Sequence, residues 1–249
     1  MALAPGYAQT LRGFGDQRDP GHGAISIAPG ECLDDTGTQL ITVPTTTVVE
    51  VDTSGINGLD RGVPEVDRLY CLWMVQGPRG AGGLISRSFT KPVLPVGFDA
   101  AKRRVGSSRL RQAGIHIWWH ASRSVGQTTD RWRYYTSSWP WRALADSGGD
   151  ADMVADVATE VSLLDWVPAA RFSEAVELFF DNRGTSAVRI TETEGSPQWV
   201  FELPPGFAGA LRMRPLQQRF FYVHVGDLAR PSLKVHVLAY HENLALAAL

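Results

Sequence analysis

The sequence predicts a mostly β protein: antiparallel β-sandwich or jelly-roll-like lobes behind an extended N-terminal arm. Three observations carry this. Twenty-five glycines and 15 prolines among 249 residues interrupt the chain too often for long helices. About a dozen short segments alternate apolar with polar residues, at the roughly 8–12-residue spacing of sandwiches and jelly rolls. Leu69–Gln76 is nearly continuously apolar, as a central strand covered on both faces should be. With 44% apolar residues, the chain has enough material for one double-layered core or two smaller ones.

In chain order, residues 1–23 hold Pro5, Gly6, Gly13, Gly15, Pro20, Gly21 and Gly23 with little apolar periodicity. They read as an extended arm, either loose or ordered by a neighbouring subunit. A first β lobe is expected over 24–110. Ile25 and Ile27 alternate with small residues before a Pro29-Gly30 turn, Asp34-Asp35-Thr36-Gly37 turns again, and Gln39–Val43 resumes the strand pattern. Thr45–Asp52 is β-branched almost throughout, which suits a pleated surface. Asp52–Gly62 is a polar, Gly-rich loop. Gly77-Pro78-Arg79-Gly80 returns the central strand into Gly83–Phe89, and Pro95 with Gly97 sets a corner before a strand over Lys102–Ser108.

A second β lobe is expected over 111–249, packed with the first or separate from it. Ile115, Ile117 and Trp119 alternate with His116, Trp118 and His120, and Trp132 and Tyr134 with Arg131 and Arg133. Asp146–Asp152 is a polar link. Val157–Leu163 suits a strand, with a helix over Asp152–Leu164 as the alternative. Val176, Leu178 and Phe180 run into a hairpin-type turn at Asp181-Asn182-Arg183-Gly184. Val188–Ile190, Trp199–Leu203, Leu211–Arg214, the set Phe221, Val223 and Val225, and Leu233–Ala239 complete the strands.

Composition bounds the chemistry. A net charge of −2, from 24 basic and 26 acidic residues, gives no drive toward nucleic acid or an anionic membrane. No run of about 18 apolar residues predicts a spanning helix, and no charged leader with an apolar core predicts a signal peptide. Cys32 and Cys71 sit in no metal-ligand spacing; one disulfide is conceivable, and two free buried thiols are expected. His116 and His120 would share a strand face but lack a third ligand. His224 and His236 stand on predicted outward faces. No nucleophile elbow, Walker loop or zinc-protease helix occurs, and Gly13-Phe14-Gly15 and Gly80-Ala81-Gly82-Gly83 read as turns. No cofactor, metal or catalytic residue is therefore expected. Asp34 with Asp35, or Glu192 with Glu194, would serve a glycosidase only at the right separation in space.

Two groups remain as candidates for partner contact. Lys102-Arg103-Arg104 could meet a phosphate or sugar carboxylate, or belong to an edge strand or interface whose charges pair with a neighbour. Five of the eight tryptophans, Trp118, Trp119, Trp132, Trp139 and Trp141, cluster with Tyr134 and Tyr135. Such residues serve a core or subunit interface, or a platform for sugar.

Four pieces in order resemble a module of tailed-bacteriophage virion proteins. They are Ile25-Ser26-Ile27-Ala28-Pro29-Gly30-Glu31-Cys32-Leu33-Asp34-Asp35-Thr36; Gly55-Ile56-Asn57-Gly58-Leu59-Asp60-Arg61-Gly62; the hairpin Leu72-Trp73-Met74-Val75 with Gly83-Leu84-Ile85-Ser86; and Pro92 to Phe98 with Arg103-Arg104-Val105-Gly106. The resemblance covers about residues 24–108. It implies a non-enzymatic, β-rich structural protein of a phage particle, in a tail fibre, collar, or head-surface attachment or decoration. The implied partners are other virion proteins and further copies of the chain, and the implied place is the virion, assembled in the host cytoplasm. A carbohydrate-binding adhesin for host-surface glycan, through the Trp118–Trp141 stretch, is the alternative, and a depolymerase a weaker third.

Overall fold

The structure is a computed structural model that describes residues 11–13, 16–18, 24–65, 68–111, 116–118, 120–123, 130–135, 145–146, 156–164, 166–168, 173–194, 199–214, 218–226 and 232–243. All regular structure among these residues is β, mostly in antiparallel sheets. The chain forms two compact units, Met1–Arg133 with Glu242–Leu249, and Tyr134–His241.

The first unit contains β1 (Leu11–Gly13), β2 (Asp16–Arg18), β3 (Ala24–Ile27), β4 (Gly30–Leu33), β5 (Leu40–Val43), β6 (Thr47–Glu50), β7 (Gly58–Leu59), β8 (Arg68–Gly77), β9 (Gly80–Ser86), β10 (Ala101–Arg111), β11 (His116–Trp118), β12 (His120–Arg123) and the start of β13 (Asp130–Tyr135). Its centre is a five-stranded sheet in the order β11-β10-β8-β9-β7, with only β7 and β9 parallel. β8 is buried from Leu69 to Val75, as its apolar run requires. On one face Tyr70, Leu72, Met74 and Val105 pack with Ile25, Ile27, Ile41 and Val49 from the smaller strands. On the other, Cys71, Trp73, Val75 and Leu84 are covered by Ile56, Phe89, Leu94 and Phe98.

The smaller strands form an antiparallel meander. Leu11 faces Cys32 and Gly13 faces Gly30; three residues on along one strand and three back along the other, Asp16 faces Ile27 and Arg18 faces Ile25. The register resumes unchanged across Pro29, which has no N–H to offer the ladder. On the other side β4 pairs with β5 and β3 with β6, with one extra residue beside Pro44.

This corrects the expectation that only a neighbour could order the arm. β1 and β2 are held by the open backbone edges of their own β4 and β3, and ladder hydrogen bonds ask nothing of apolar side chains. Residues 1–10 lie outside the described residues. The loop reading of Gly80–Gly83 is also corrected, because Gly82 and Gly83 are interior to β9. A Cβ at Gly82 would meet Ile56 at 2.5 Å, and one at Gly83 would meet Val49 at 2.3 Å, so both faces of β9 demand glycine there. The Pro95 corner is as expected: the Phe98 N–H donates to Pro95 O at 3.0 Å and Gly97 has φ +86°.

The second unit takes the end of β13 and adds β14 (Ala145–Asp146), β15 (Thr159–Ser162), β16 (Ser173–Asn182), β17 (Ala187–Thr191), β18 (Phe201–Leu203), β19 (Ala208–Met213), β20 (Arg219–Val225) and most of β21 (Leu233–Asn243). β21-β16-β19, with β14 on β21, and β15-β20-β17-β18 form two sheets. Val176, Leu178, Phe180, Val235 and Val237 from one meet Val188, Ile190, Leu203, Phe220 and Tyr222 from the other in a sandwich core.

The strand expected over 157–163 is present as Thr159–Ser162, while 152–155 lie outside the described residues. Two expectations are corrected here. On β20 the inward set is Phe220, Tyr222 and His224 rather than Phe221, Val223 and Val225. Two adjacent aromatics leave the period ambiguous by one residue, and a one-residue slip exchanges the faces. Finally, Asp181–Gly184 is not a hairpin: β16 and β17 belong to different sheets, and the turn is a corner between them. Fully buried Asn182 ties it, its Nδ2 donating to the carbonyls of Ser186, Leu203 and Pro204 at 3.0–3.2 Å while its Oδ1 accepts from Gly184 N.

Removal of residues 1–18 strips β4 and β3 of one partner each, β1 and β2, and should lower the calorimetric midpoint of the first unit by several degrees, since 1 kcal/mol corresponds to about 2–8 °C. An unchanged midpoint would contradict the pairing of β1 and β2.

Candidate functional site

Lys102, Arg103 and Arg104 lie on β10, between β11 and β8, directly opposite Val75, Met74 and Trp73. Strand alternation puts Lys102 and Arg104 on the Trp73 face and Arg103 on the Met74 face. Val105, two residues beyond Arg103, joins the meander core on the same face. A bulge between Arg104 and Gly106 leaves Val105 unpaired and sets Gly106 opposite Leu72. The expected exposed patch is therefore corrected, with Arg103 2% and Arg104 0% exposed. β11 pairs β10 only at Arg109–Arg111, beyond the triplet.

Each cation meets its countercharge inside the molecule. Lys102 Nζ pairs with Asp35 and stands 5.3 Å from the Trp73 ring centroid. Arg104 Nη1 donates to Glu242 Oε1 at 2.9 Å, and neither side chain is exposed. Glu242 belongs to the part of the chain that returns to the first unit. Burial pushes the Asp35 carboxyl up, opposed by Lys102, and pushes Arg103 down, opposed by Asp35. Asp34 behaves differently. Burial raises its pKa, yet hydrogen bonds from Thr36, Gln39 and Thr38 outweigh this and hold it below the usual range. Asp34 caps a turn and Asp35 holds Lys102. Neither carboxylate is free in the way a glycosidase pair requires.

The other expected residues fall as follows. Trp118 closes β11 opposite Arg109, and Trp132 and Tyr134 lie on β13. Trp119, Trp139 and Trp141 lie outside the described residues. His116 opens β11 and His120 opens β12, and Trp119 between the two strands lies outside the described residues. Glu192 and Glu194 follow the end of β17. Cys32 and Cys71 are free and buried. Cys32 belongs to the meander face of the sheet and Cys71 to the Trp73 face. Burial pushes the Cys32 thiol up to about 12 and Cys71 higher than its ordinary value, so neither is a thiolate nucleophile near neutrality. Among the described residues no cluster of three or more His, Cys, Asp or Glu could hold a metal ion.

A polar cleft of about 560 Å³ opens beside Asp60, Arg61, Glu65, Tyr70, Ser86 and Arg87. Its groups are largely turned on one another. Asp60 Oδ2 accepts from Ser86 Oγ at 2.7 Å and from Val93 N at 2.9 Å; Tyr70 Oη accepts from Glu65 N at 2.8 Å, and Glu65 pairs with Arg87.

Two arrangements in the second unit escaped the sequence reading. His224 is buried, not outward as expected. Its Nδ1 meets Ser186 Oγ at 3.1 Å, and its ring stands edge-on to Tyr222 at 5.6 Å. With 4% or less of either residue exposed, this Ser–His pair is closed to any substrate. The second is Trp199, 47% exposed, with the Arg189 guanidinium 4.0 Å from its ring centroid and Arg189 Nε donating to Glu202 Oε2 at 2.9 Å. Sequence reading placed Trp199 at a strand start; its exposure and its stacked arginine were not legible.

Compared with known proteins, the chain matches no family model, no curated protein and no solved structure.

His224 gives a pH dependence. Burial holds its imidazole below the usual value of about 6.5. The unfolded chain therefore takes up a proton that the folded chain refuses. The stability this group contributes is present above about pH 6.5 and is lost as pH falls toward the lower folded value. The slope is at most about 1.4 kcal/mol per pH unit for one proton. Urea unfolding between pH 5 and 7 should show a shallower slope for His224→Phe than for wild type. Equal slopes would contradict the assignment.

Proposed function

We propose that this chain is a non-enzymatic structural component of a tailed-bacteriophage particle, joined to neighbouring virion proteins and to copies of itself through its N-terminal arm over residues 1–23 and the surfaces of its β units. The observation that carries this is where the four phage-like pieces lie. All fall in the first unit, and three of them are joined to one another. The Asp60 N–H donates to Ile85 O at 2.8 Å. The Asn57 N–H donates to Gly83 O at 2.8 Å, and the Asn57 Oδ1 accepts from Gly83 N at 2.9 Å. Arg103 and Arg104 stand opposite Met74 and Trp73 in the ladder. Beside the pieces, the Asp35 N–H donates to Lys102 O at 2.9 Å and Arg79 N to Gly97 O at 3.2 Å. Residues employed in this way support a scaffold reading, in which the work is binding through faces and edges. Assembly in the host cytoplasm and residence in the virion follow from that reading.

The test uses purified particles carrying either the full chain or one lacking residues 1–10. Mass spectrometry should find the full chain in particles and the truncated chain absent from them, although it folds. Equal incorporation of both, or absence of the full chain from particles, would overturn the proposal. A second reading, a carbohydrate-binding adhesin at the host surface, is favoured by one observation, the exposed Trp199 with its stacked arginine.

A further inference from the structure

We propose that Trp199, Arg189 and Glu202 form a stacking site for the apolar face of an uncharged hexopyranose. This deepens the adhesin reading and rests on it, but moves the site from the Trp118–Trp141 stretch to the second unit.

Three features point there. An indole has two faces, and the Arg189 guanidinium, 4.0 Å from the centroid, covers one. Trp199 as a whole is still 47% exposed, which leaves the other face as the one to meet a ligand. Secondly, the platform is held before any ligand arrives. Arg189 and Glu202 are direct cross-strand partners on β17 and β18, joined side chain to side chain at 2.9 Å. The Val200 N–H, next along from Trp199, donates to Ile190 O at 2.7 Å. A ring fixed in this way loses little freedom on binding. Thirdly, the charges select the ligand. The arginine already stands over one face of the ring, and its positive charge disfavours a cationic guest on the other. The arginine and glutamate neutralise one another, so no net charge draws an ion. Both remain partly exposed, at 36% and 45%, and offer N–H donors and a carboxylate acceptor at the ring's border. An apolar platform edged by paired donors and acceptors matches a pyranose, whose C–H face stacks while its hydroxyls bond sideways.

A single platform of this size implies a dissociation constant on the order of millimolar. Saturation-transfer NMR on the full chain with methyl glucoside, galactoside, mannoside and N-acetylglucosaminide, each at several millimolar, is the test. We expect transfer to the ring C–H protons of at least one glycoside, unaffected by 0.5 M salt. Trp199→Ala should weaken it at least tenfold and Arg189→Gln several-fold, with the melting temperature of each variant as a check on folding. Trp199→Tyr, which keeps an aromatic face, should retain part of the signal. Transfer to none of the four sugars, or transfer unchanged in Trp199→Ala, would overturn the proposal. Loss in Trp132→Ala but not in Trp199→Ala would overturn it while preserving the adhesin reading. Trp199-dependent self-association without sugar transfer would overturn it in favour of a protein interface.

Discussion

An arginine with no exposed surface sits in the central sheet of the first unit, and the rest of that unit accommodates it. Taking a guanidinium out of water costs several kcal/mol, and only a well-placed countercharge offsets this. Glu242 provides it at 2.9 Å, from 138 residues further along the chain. The polar interior of the first unit is therefore complete only when the end of β21 has arrived. Lys102 and Arg103 obey the same constraint on either side of Arg104. Asp35 pairs with Lys102 directly and lends its field to Arg103.

The sheet tolerates charges inside because both of its faces are otherwise closely filled. β8 supplies alternating apolar residues to the two faces, and β9 contributes glycines where Ile56 and Val49 press closest. The loop from Arg87 to Ala100 covers the Trp73 face with Phe89, Leu94 and Phe98. Gly77 permits its close approach, since a Cβ there would meet Gly97 O at 2.3 Å. Proline and glycine in this sequence thus mark close approaches and changes of strand direction, not merely loop tips.

What could be read from the sequence was what depends on local pattern. The β class, the buried run of β8, the Asp34 turn and the Pro95 corner follow from periodicity and turn chemistry, which act over a few residues. What could not be read depends on partners distant in sequence. Nothing near Arg104 announces Glu242, so a triplet of cations looked like surface. Phe220 and Phe221 are adjacent, so β20 could be read in either register. Asn182 was legible as a turn residue, but its three carbonyl partners include Leu203 and Pro204, and these make the turn a corner between sheets. The Trp199 platform was hidden for a similar reason: its arginine comes from one strand and its exposure from the end of another.

The central claim is that the basic triplet is interior structure, completed by Glu242, and not a recognition surface. A double-mutant cycle of Arg104→Met and Glu242→Gln, read by urea unfolding of the full chain, tests it most directly. Each single change should cost about 3–5 kcal/mol by stranding the other charge, and the double change should cost far less than their sum. Single losses below about 1 kcal/mol that simply add, as exposed ion pairs give, would contradict the account.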